Sequence, residues 1–183
     1  MRTIYLIRHG EPDTTIHDDV RRPLTPAGEQ QALDLVPLFQ NVTLDAVYAS
    51  PFTRARTTVA PLASAHDLAV QLDMRLQERQ LPGWLKDFSA YAKQQWQDLD
   101  YTQLGGESIH AVQQRYLSFF NGLPEAGTFA IGSHGMAMSS IVEYVNAGQG
   151  AAYFDTIQGH YGVVLQLIMA AGQPPRITPW PTR

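Results

Sequence analysis

The octapeptide Ile4-Tyr5-Leu6-Ile7-Arg8-His9-Gly10-Glu11 holds a short apolar run that stops abruptly on charge. Its first four residues are continuous, apolar and β-branched at both ends, the pattern of a buried strand. Arg8, His9, Gly10 and Glu11 then stand just past the strand end. Moving outward, strand-length runs alternate with helix-period segments. Thr25-Pro26 reads as a cap followed by a proline at the first helical position, and Ala32, Leu35, Val36 and Phe39 continue helically, with Pro37 near the end. Strands are expected at 45–49, 68–72, 128–131 and 163–168. Ser50-Pro51 repeats the cap-then-proline signal, and further helices are expected at 90–98, from Ser108 through Phe120, and at 136–146. Four prolines (Pro174, Pro175, Pro179 and Pro181) predict an irregular tail. This alternation predicts an α/β fold, a three-layer sandwich with a mostly parallel central sheet and helices on both faces. We expect one domain over 1–183, with an aromatic-rich insert or lid at about 79–105 that carries Trp84, Phe88, Tyr91, Trp96 and Tyr101.

Composition narrows the function classes. The 183 residues are 44% hydrophobic and 16% charged, enough apolar material for a core and too little charge for disorder. A net charge of −4 gives no basic surface for nucleic acid or an anionic membrane. The absence of cysteine excludes disulfides, thiolate catalysis and cysteine zinc sites. The six histidines include no closely spaced ligand pair, so no metal is expected. No segment has the length of a membrane span. The Thr3 to Ile7 run is stopped by Arg8 without a cleavage site behind it, so the chain reads as cytoplasmic.

In open α/β sheets, ligands bind beyond the carboxyl ends of the strands. One strand ends in Arg8-His9-Gly10 and another in Ser133-His134-Gly135, while Ser50-Pro51 places Arg54 on the first turns of a helix. If these three strands are neighbours, His9, His134, Arg8 and Arg54 converge on one pocket. Two guanidiniums and two imidazoles make an anion site whose forks match phosphate oxygens. A neutral imidazole there can attack phosphorus. The leaving oxygen then needs an acid, for which Glu11, Glu78 and Glu107 are all candidates.

These residues resemble the histidine phosphatase superfamily, with its phosphoglycerate-mutase-like fold. Leu6-Ile7-Arg8-His9-Gly10-Glu11 is similar to the family signature, and Leu24-Thr25-Pro26-Ala27-Gly28 with Gln31-Ala32 to its second block. Ser50-Pro51 through Arg54-Ala55 and Thr58, Leu76-Gln77-Glu78 with Trp84, Gly106-Glu107-Ser108 with Arg115, and Ser133-His134-Gly135 match further blocks in order. The resemblance implies that His9 is the nucleophile that becomes phosphorylated and that Arg8, Arg54 and His134 hold the phosphoryl group. It implies that Glu78 is the general acid and then the base. It also implies a mixed sheet, no metal and no cofactor.

Two departures matter. Thr15 stands where the family often has a phosphate-contacting Asn, and the loop after Glu78 keeps only Trp84 of its usual run. Arg21, beside Arg22, and His160, in the Gln158-Gly159-His160-Tyr161 turn, are further candidates for touching substrate. The expectation is a cofactor-independent phosphatase acting on a small phosphorylated metabolite, without nucleic acid or membrane partners and with oligomeric state left open. A phosphoglycerate mutase is the first alternative. The resemblance associates a mutase with longer chains and more basic residues over the pocket than Arg79 to Gly105 supplies. A non-catalytic module that binds a phosphorylated ligand is the second, and it would have no use for Glu78.

Overall fold

The computed structural model describes residues 1–83 and 85–180. Among these, six strands form one sheet in the order β3-β2-β4-β1-β5-β6. They are β1 (Arg2–Arg8), β2 (Ala46–Ala49), β3 (Val70–Leu72), β4 (Gly127–Ser133), β5 (Val164–Met169) and β6 (Arg176–Pro179). β1, β2, β3 and β4 run parallel, β5 pairs antiparallel with β1, and β6 antiparallel with β5. The helices are α1 (Pro26–Leu38), α2 (Thr53–Ala65), α3 (Phe88–Gln97), α4 (Ile109–Gly122), α5 (Gly135–Val145) and α6 (Gly150–Ile157), with a 3₁₀ turn at Met74–Leu76.

The continuous apolar run in β1 serves two cores at once. Ile4 and Leu6 pack with Tyr116, Phe120, Met138 and Ile141 of α4 and α5 on one face. Tyr5 and Ile7 pack with Leu35 of α1, its C-cap Phe39, and Val59 and Leu62 of α2 on the other. Ile4, Leu6 and Ile7 are fully buried, and burying a side chain of this kind contributes roughly 1.5–3 kcal/mol. This is the three-layer sandwich, its sheet mixed at the β5-β6 edge. No helix among the described residues is long and apolar enough to cross a membrane.

Local signals hold at three of the six helix starts. Thr25 caps α1 by accepting from Gly28 N at 3.1 Å, with Pro26 in the first turn. Ser108 caps α4 through Ala111 N at 3.1 Å. Two expectations need correction. Ser50 does not start α2: its amide still donates to Gly132 O at 3.0 Å, which keeps it extended beside the sheet. The helix begins at Thr53, with Phe52 as a cap that makes no side-chain bond. The tail is also not irregular throughout, because Arg176–Pro179 forms an edge strand on β5. An edge strand needs a partner on one side only, so prolines at its flank and its end are tolerated. Pro181 and Trp84 lie outside the described residues.

Candidate active site

β4 lies between β1 and β2, and register places Arg8 opposite Ser133 and Ala49 opposite Gly132. The carboxyl ends of these three strands therefore share one edge of the sheet. Beyond it opens a cleft of about 710 Å³, whose lining includes Arg8, His9, Asp19, Arg22, Phe52, Arg54, Glu78, Arg79, Phe88 and Phe154. Its charged residues are four arginines (Arg8, Arg22, Arg54, Arg79) against Asp19 and Glu78, an excess of two positive charges. The cationic field is local, since the whole chain carries −4.

His9 extends β1 by one bond, its amide donating to Ser133 O at 3.1 Å. Gly10 follows because α1 sits directly on it: a Cβ there would lie 2.5 Å from Gly28 O. Its amide donates to Thr58 Oγ1 at 2.8 Å, tying the loop to α2. The His9 ring is buried, and Nδ1 lies 2.8 Å from the Gly10 carbonyl. A carbonyl only accepts, so Nδ1 carries the proton and Nε2 keeps a free lone pair. Burial first, then the charges of Arg54 and Arg8, pull the His9 pKa down to about 3. The imidazole is neutral at pH 7.

His134 caps α5 from the end of β4 and is fully buried. Its ring centroid lies 5.4 Å from that of His9 and 5.2 Å from Phe52. Neither ring nitrogen has a hydrogen-bond partner among the described residues. Burial, and then Arg54, hold its pKa well below the usual histidine range. A buried polar group left unpaired is costly, and the one N–H of this neutral ring suits an anion that accepts from it.

Arg8 donates from Nη1 to Ile157 O and to His160 O, the latter at 2.8 Å, and lies 4.9 Å over the Tyr161 ring. Its Nε has no partner among the described residues. Gly135 permits this packing, since a Cβ there would sit 3.3 Å from the guanidinium. Arg54, the second residue of α2, is buried and donates from Nη1 to Asp19 O at 2.5 Å, with Asp19 Oδ1 at 3.1 Å.

Glu78 lines the cleft two residues after the 3₁₀ turn. Its carboxylate accepts from Met136 N at 3.1 Å, Ala137 N at 3.0 Å and Arg79 N at 2.7 Å, so it rests on the amino end of α5. Of the other two carboxylates weighed from the sequence, Glu107 is committed to Arg115 at 2.7 and 2.9 Å. Neither Glu107 nor Glu11 lines the cleft.

The structure thus brings Arg8, His9, Arg54 and Glu78 into one lining, with His134 buried beside His9. It leaves three candidates outside. Thr15 is exposed and bonded to Asp13 Oδ1 at 2.6 Å. Arg21 is exposed and 3.8 Å from Asp18. His160 turns its ring to Gln158 O at 3.0 Å and serves Arg8 through its carbonyl. Of the Arg21-Arg22 pair, Arg22 is the one that lines the cleft, and Arg79 is a lining arginine that the sequence reading did not single out for the site. Arg22 pairs with Asp19 at 3.4 Å. Arg79 is buried, donates to Gln95 Oε1, and packs near Phe88 and Tyr91. Its adjacency to Glu78 was the available signal.

The histidine phosphatase superfamily (branch 1) model matches residues 4–180. A protein named probable phosphoglycerate mutase GpmB, from Erwinia tasmaniensis, is 32% identical over 165 residues, covering 79% of this chain and 75% of that one. Two solved structures show the same fold at lower identity. A mycobacterial glucosyl-3-phosphoglycerate phosphatase complexed with VO3 superposes with a TM-score of 0.77 at 19% identity, covering 98% of each chain. A putative alpha-ribazole-5'-P phosphatase from Escherichia coli gives 0.75 at 23%, covering 100% of this chain and 97% of that one. With motif order, strand-end geometry and a match across nearly its whole length, the chain belongs to the histidine phosphatase superfamily.

Proposed function

We propose that the protein is a phosphatase that hydrolyses a small phosphate monoester through a phosphohistidine on His9. One observation carries this reading: His9 has its Nδ1 proton tied to Gly10 O, which leaves Nε2 as a neutral nucleophile in a cleft lined by Arg8 and Arg54. In the first step Nε2 attacks phosphorus, the bond to the leaving oxygen breaks, and Glu78 delivers a proton to that oxygen. Arg8, Arg54 and His134 stabilise the charge on the transferring group. In the second step water attacks phosphorus, gives its proton to Glu78, and the N–P bond breaks to release inorganic phosphate. Glu78 ends as it began.

No cofactor or metal takes part in this scheme, because the guanidiniums provide the positive charge. Among the described residues no three His, Asp or Glu side chains form a set that could hold a metal ion. Residues 79–105 act as a lid in this reading, bringing Arg79, Leu81 and Phe88 to the cleft wall. The neighbouring structures named for phosphatases of small phosphorylated compounds support the substrate class.

A mutase is the second reading, favoured by the name of the 32% identical relative. It would have to keep water from the phosphoryl group. Val20, Leu81 and Phe88 on the cleft wall are all at least 40% exposed, which favours hydrolysis. The test is phosphate release across a panel of monoesters with and without chelator, run beside interconversion of 2- and 3-phosphoglycerate. Release that survives chelation supports the phosphatase; interconversion without release supports the mutase; neither activity leaves a binding module.

A further inference from the structure

The side chain of Arg54 is 5% exposed, and both contacts of its Nη1 go to one residue. Asp19 presents its carbonyl at 2.5 Å and its carboxylate at 3.1 Å. On the reading of this cleft as a phosphate site, that carboxylate sits on the guanidinium that a phosphate oxygen would occupy. The two halves of Asp19 are held differently. A turn built on Asp18 fixes the backbone: Asp18 Oδ1 accepts from Val20 N and Arg21 N, each at 3.0 Å, and Asp18 O accepts from Arg22 N at 2.8 Å. Val20 O in turn accepts from Thr53 N at 2.9 Å, docking the turn onto the start of α2. The carboxylate, by contrast, is half exposed and has a second cation within reach, Arg22 Nη1 at 3.4 Å.

We propose that Asp19 is an internal competitor for Arg54, which substrate phosphate must displace and which speeds the departure of inorganic phosphate. A phosphate dianion and a carboxylate repel on one guanidinium, so the arriving group pushes the carboxylate toward Arg22 and solvent while the carbonyl bond to Arg54 stays. When the product phosphate loosens, the carboxylate returns and takes its place. Affinity for phosphate is thereby reduced by the fraction of molecules in which Arg54 is free. Weak retention of inorganic phosphate suits a hydrolase, which must discard the group that a mutase must keep.

The test is titration of the full chain with inorganic phosphate by calorimetry, together with phosphate inhibition of turnover. Asp19→Asn keeps the backbone carbonyl and removes the charge. It should bind phosphate about tenfold tighter, as expected if Arg54 is free in roughly a tenth of wild-type molecules, and should show correspondingly stronger product inhibition. Asp19→Glu restores a carboxylate and should return affinity toward wild type. Asp18→Asn makes the same change in net charge away from Arg54 and should leave affinity at the wild-type value. Equal or weaker binding by Asp19→Asn, or equal tightening by Asp18→Asn, overturns the inference and leaves the phosphate site standing. Failure of the wild type to bind phosphate overturns the phosphate-site reading, and the inference with it.

Discussion

Arg115 reaches from α4 to the segment bearing Glu78 and donates from Nη2 to the Glu78 carbonyl at 3.2 Å. Nη1 of the same guanidinium takes the carbonyls of Arg75 and Gln77, each at 2.7 Å, while Nε and Nη2 grip both oxygens of Glu107. Tyr116, the next residue, is buried and donates its hydroxyl to Leu76 O at 2.7 Å. The backbone of 75–78 has no regular structure beyond one 3₁₀ turn, so these two side chains do the work of a strand ladder. They set where the Glu78 carboxylate can reach.

Arg115→Leu should therefore damage stability and acid catalysis together. It leaves the partly buried Glu107 without a cation, held by the Gln80 amide at 3.1 Å, and takes the guanidinium from three carbonyls, a loss of order 2 kcal/mol or more. Urea denaturation measures the first effect. The second should fall on kcat more than on KM, and more on alkyl phosphates than on p-nitrophenyl phosphate. Equal losses on both substrates would mean that Arg115 supports the fold without positioning Glu78.

His9 titrates far below an unfolded histidine, and this makes a stability prediction. Burial and the charges of Arg54 and Arg8 lower its pKa to about 3, against 6.5 for the free side chain. Below pH 6.5 the unfolded chain takes up a proton that the folded chain refuses, so stability present above 6.5 is lost as pH falls toward 3. The slope is of order 1 kcal/mol per pH unit for this one group. Urea midpoints measured between pH 7 and 4.5 should fall, and His9→Asn, which cannot titrate, should flatten the curve.

His9→Ala should abolish turnover while leaving the fold intact. No cysteine is present to substitute as nucleophile. Wild type quenched during turnover should carry acid-labile, base-stable phosphate, and the variant should carry none. Retained hydrolysis in His9→Ala would remove the covalent mechanism.

Much of this geometry was legible because the signals are local. The apolar run of β1 and the cap at Thr25 involve neighbours in sequence, and the strand-end histidines needed only the rule that α/β sites lie past carboxyl ends. What escaped depends on distant partners. Arg79 is buried because Gln95, 16 residues on, accepts from it. Gln95 is itself fixed by donating to Tyr101 O at 3.0 Å and Glu107 O at 2.9 Å. The pairing of Asp19 with Arg54 spans 35 residues. α6 was missed because only Gly150 and Ile157 are fully buried along it, so no apolar stripe betrays the helix. β6 was hidden by prolines that only its edge position makes harmless.

Arg79 is a buried cation with an amide as its recorded hydrogen-bond partner, and its Nε is unpaired among the described residues. A monoester with a second negative group can supply the missing charge. Arg79→Gln should raise KM for such substrates about tenfold or more, the cost of losing a charge-assisted contact. Monoesters without that group should be hydrolysed nearly as before, and steady-state kinetics on a matched pair decides it. An equal rise in KM for both would assign Arg79 to lid packing.

An acid matters most when the leaving alkoxide is poor, and removing one typically costs ~10²–10⁴-fold. Glu78→Gln should cripple hydrolysis of an alkyl phosphate and be far milder on p-nitrophenyl phosphate, whose leaving group departs without a proton. The second half-reaction can alter this, because water attack on phosphohistidine uses the same carboxylate as base. In that case rapid mixing should show a burst of nitrophenolate followed by slow turnover, with phosphate trapped on His9. The carboxylate also accepts from Met136 N and Ala137 N. Glutamine can accept only through its single oxygen, so Asp, which keeps the charge on a shorter arm, is the companion variant. If Glu78→Asp recovers alkyl phosphate hydrolysis better than Glu78→Gln, the carboxylate acts chemically. Small, equal losses on both substrates without a burst would reduce Glu78 to a cap on α5.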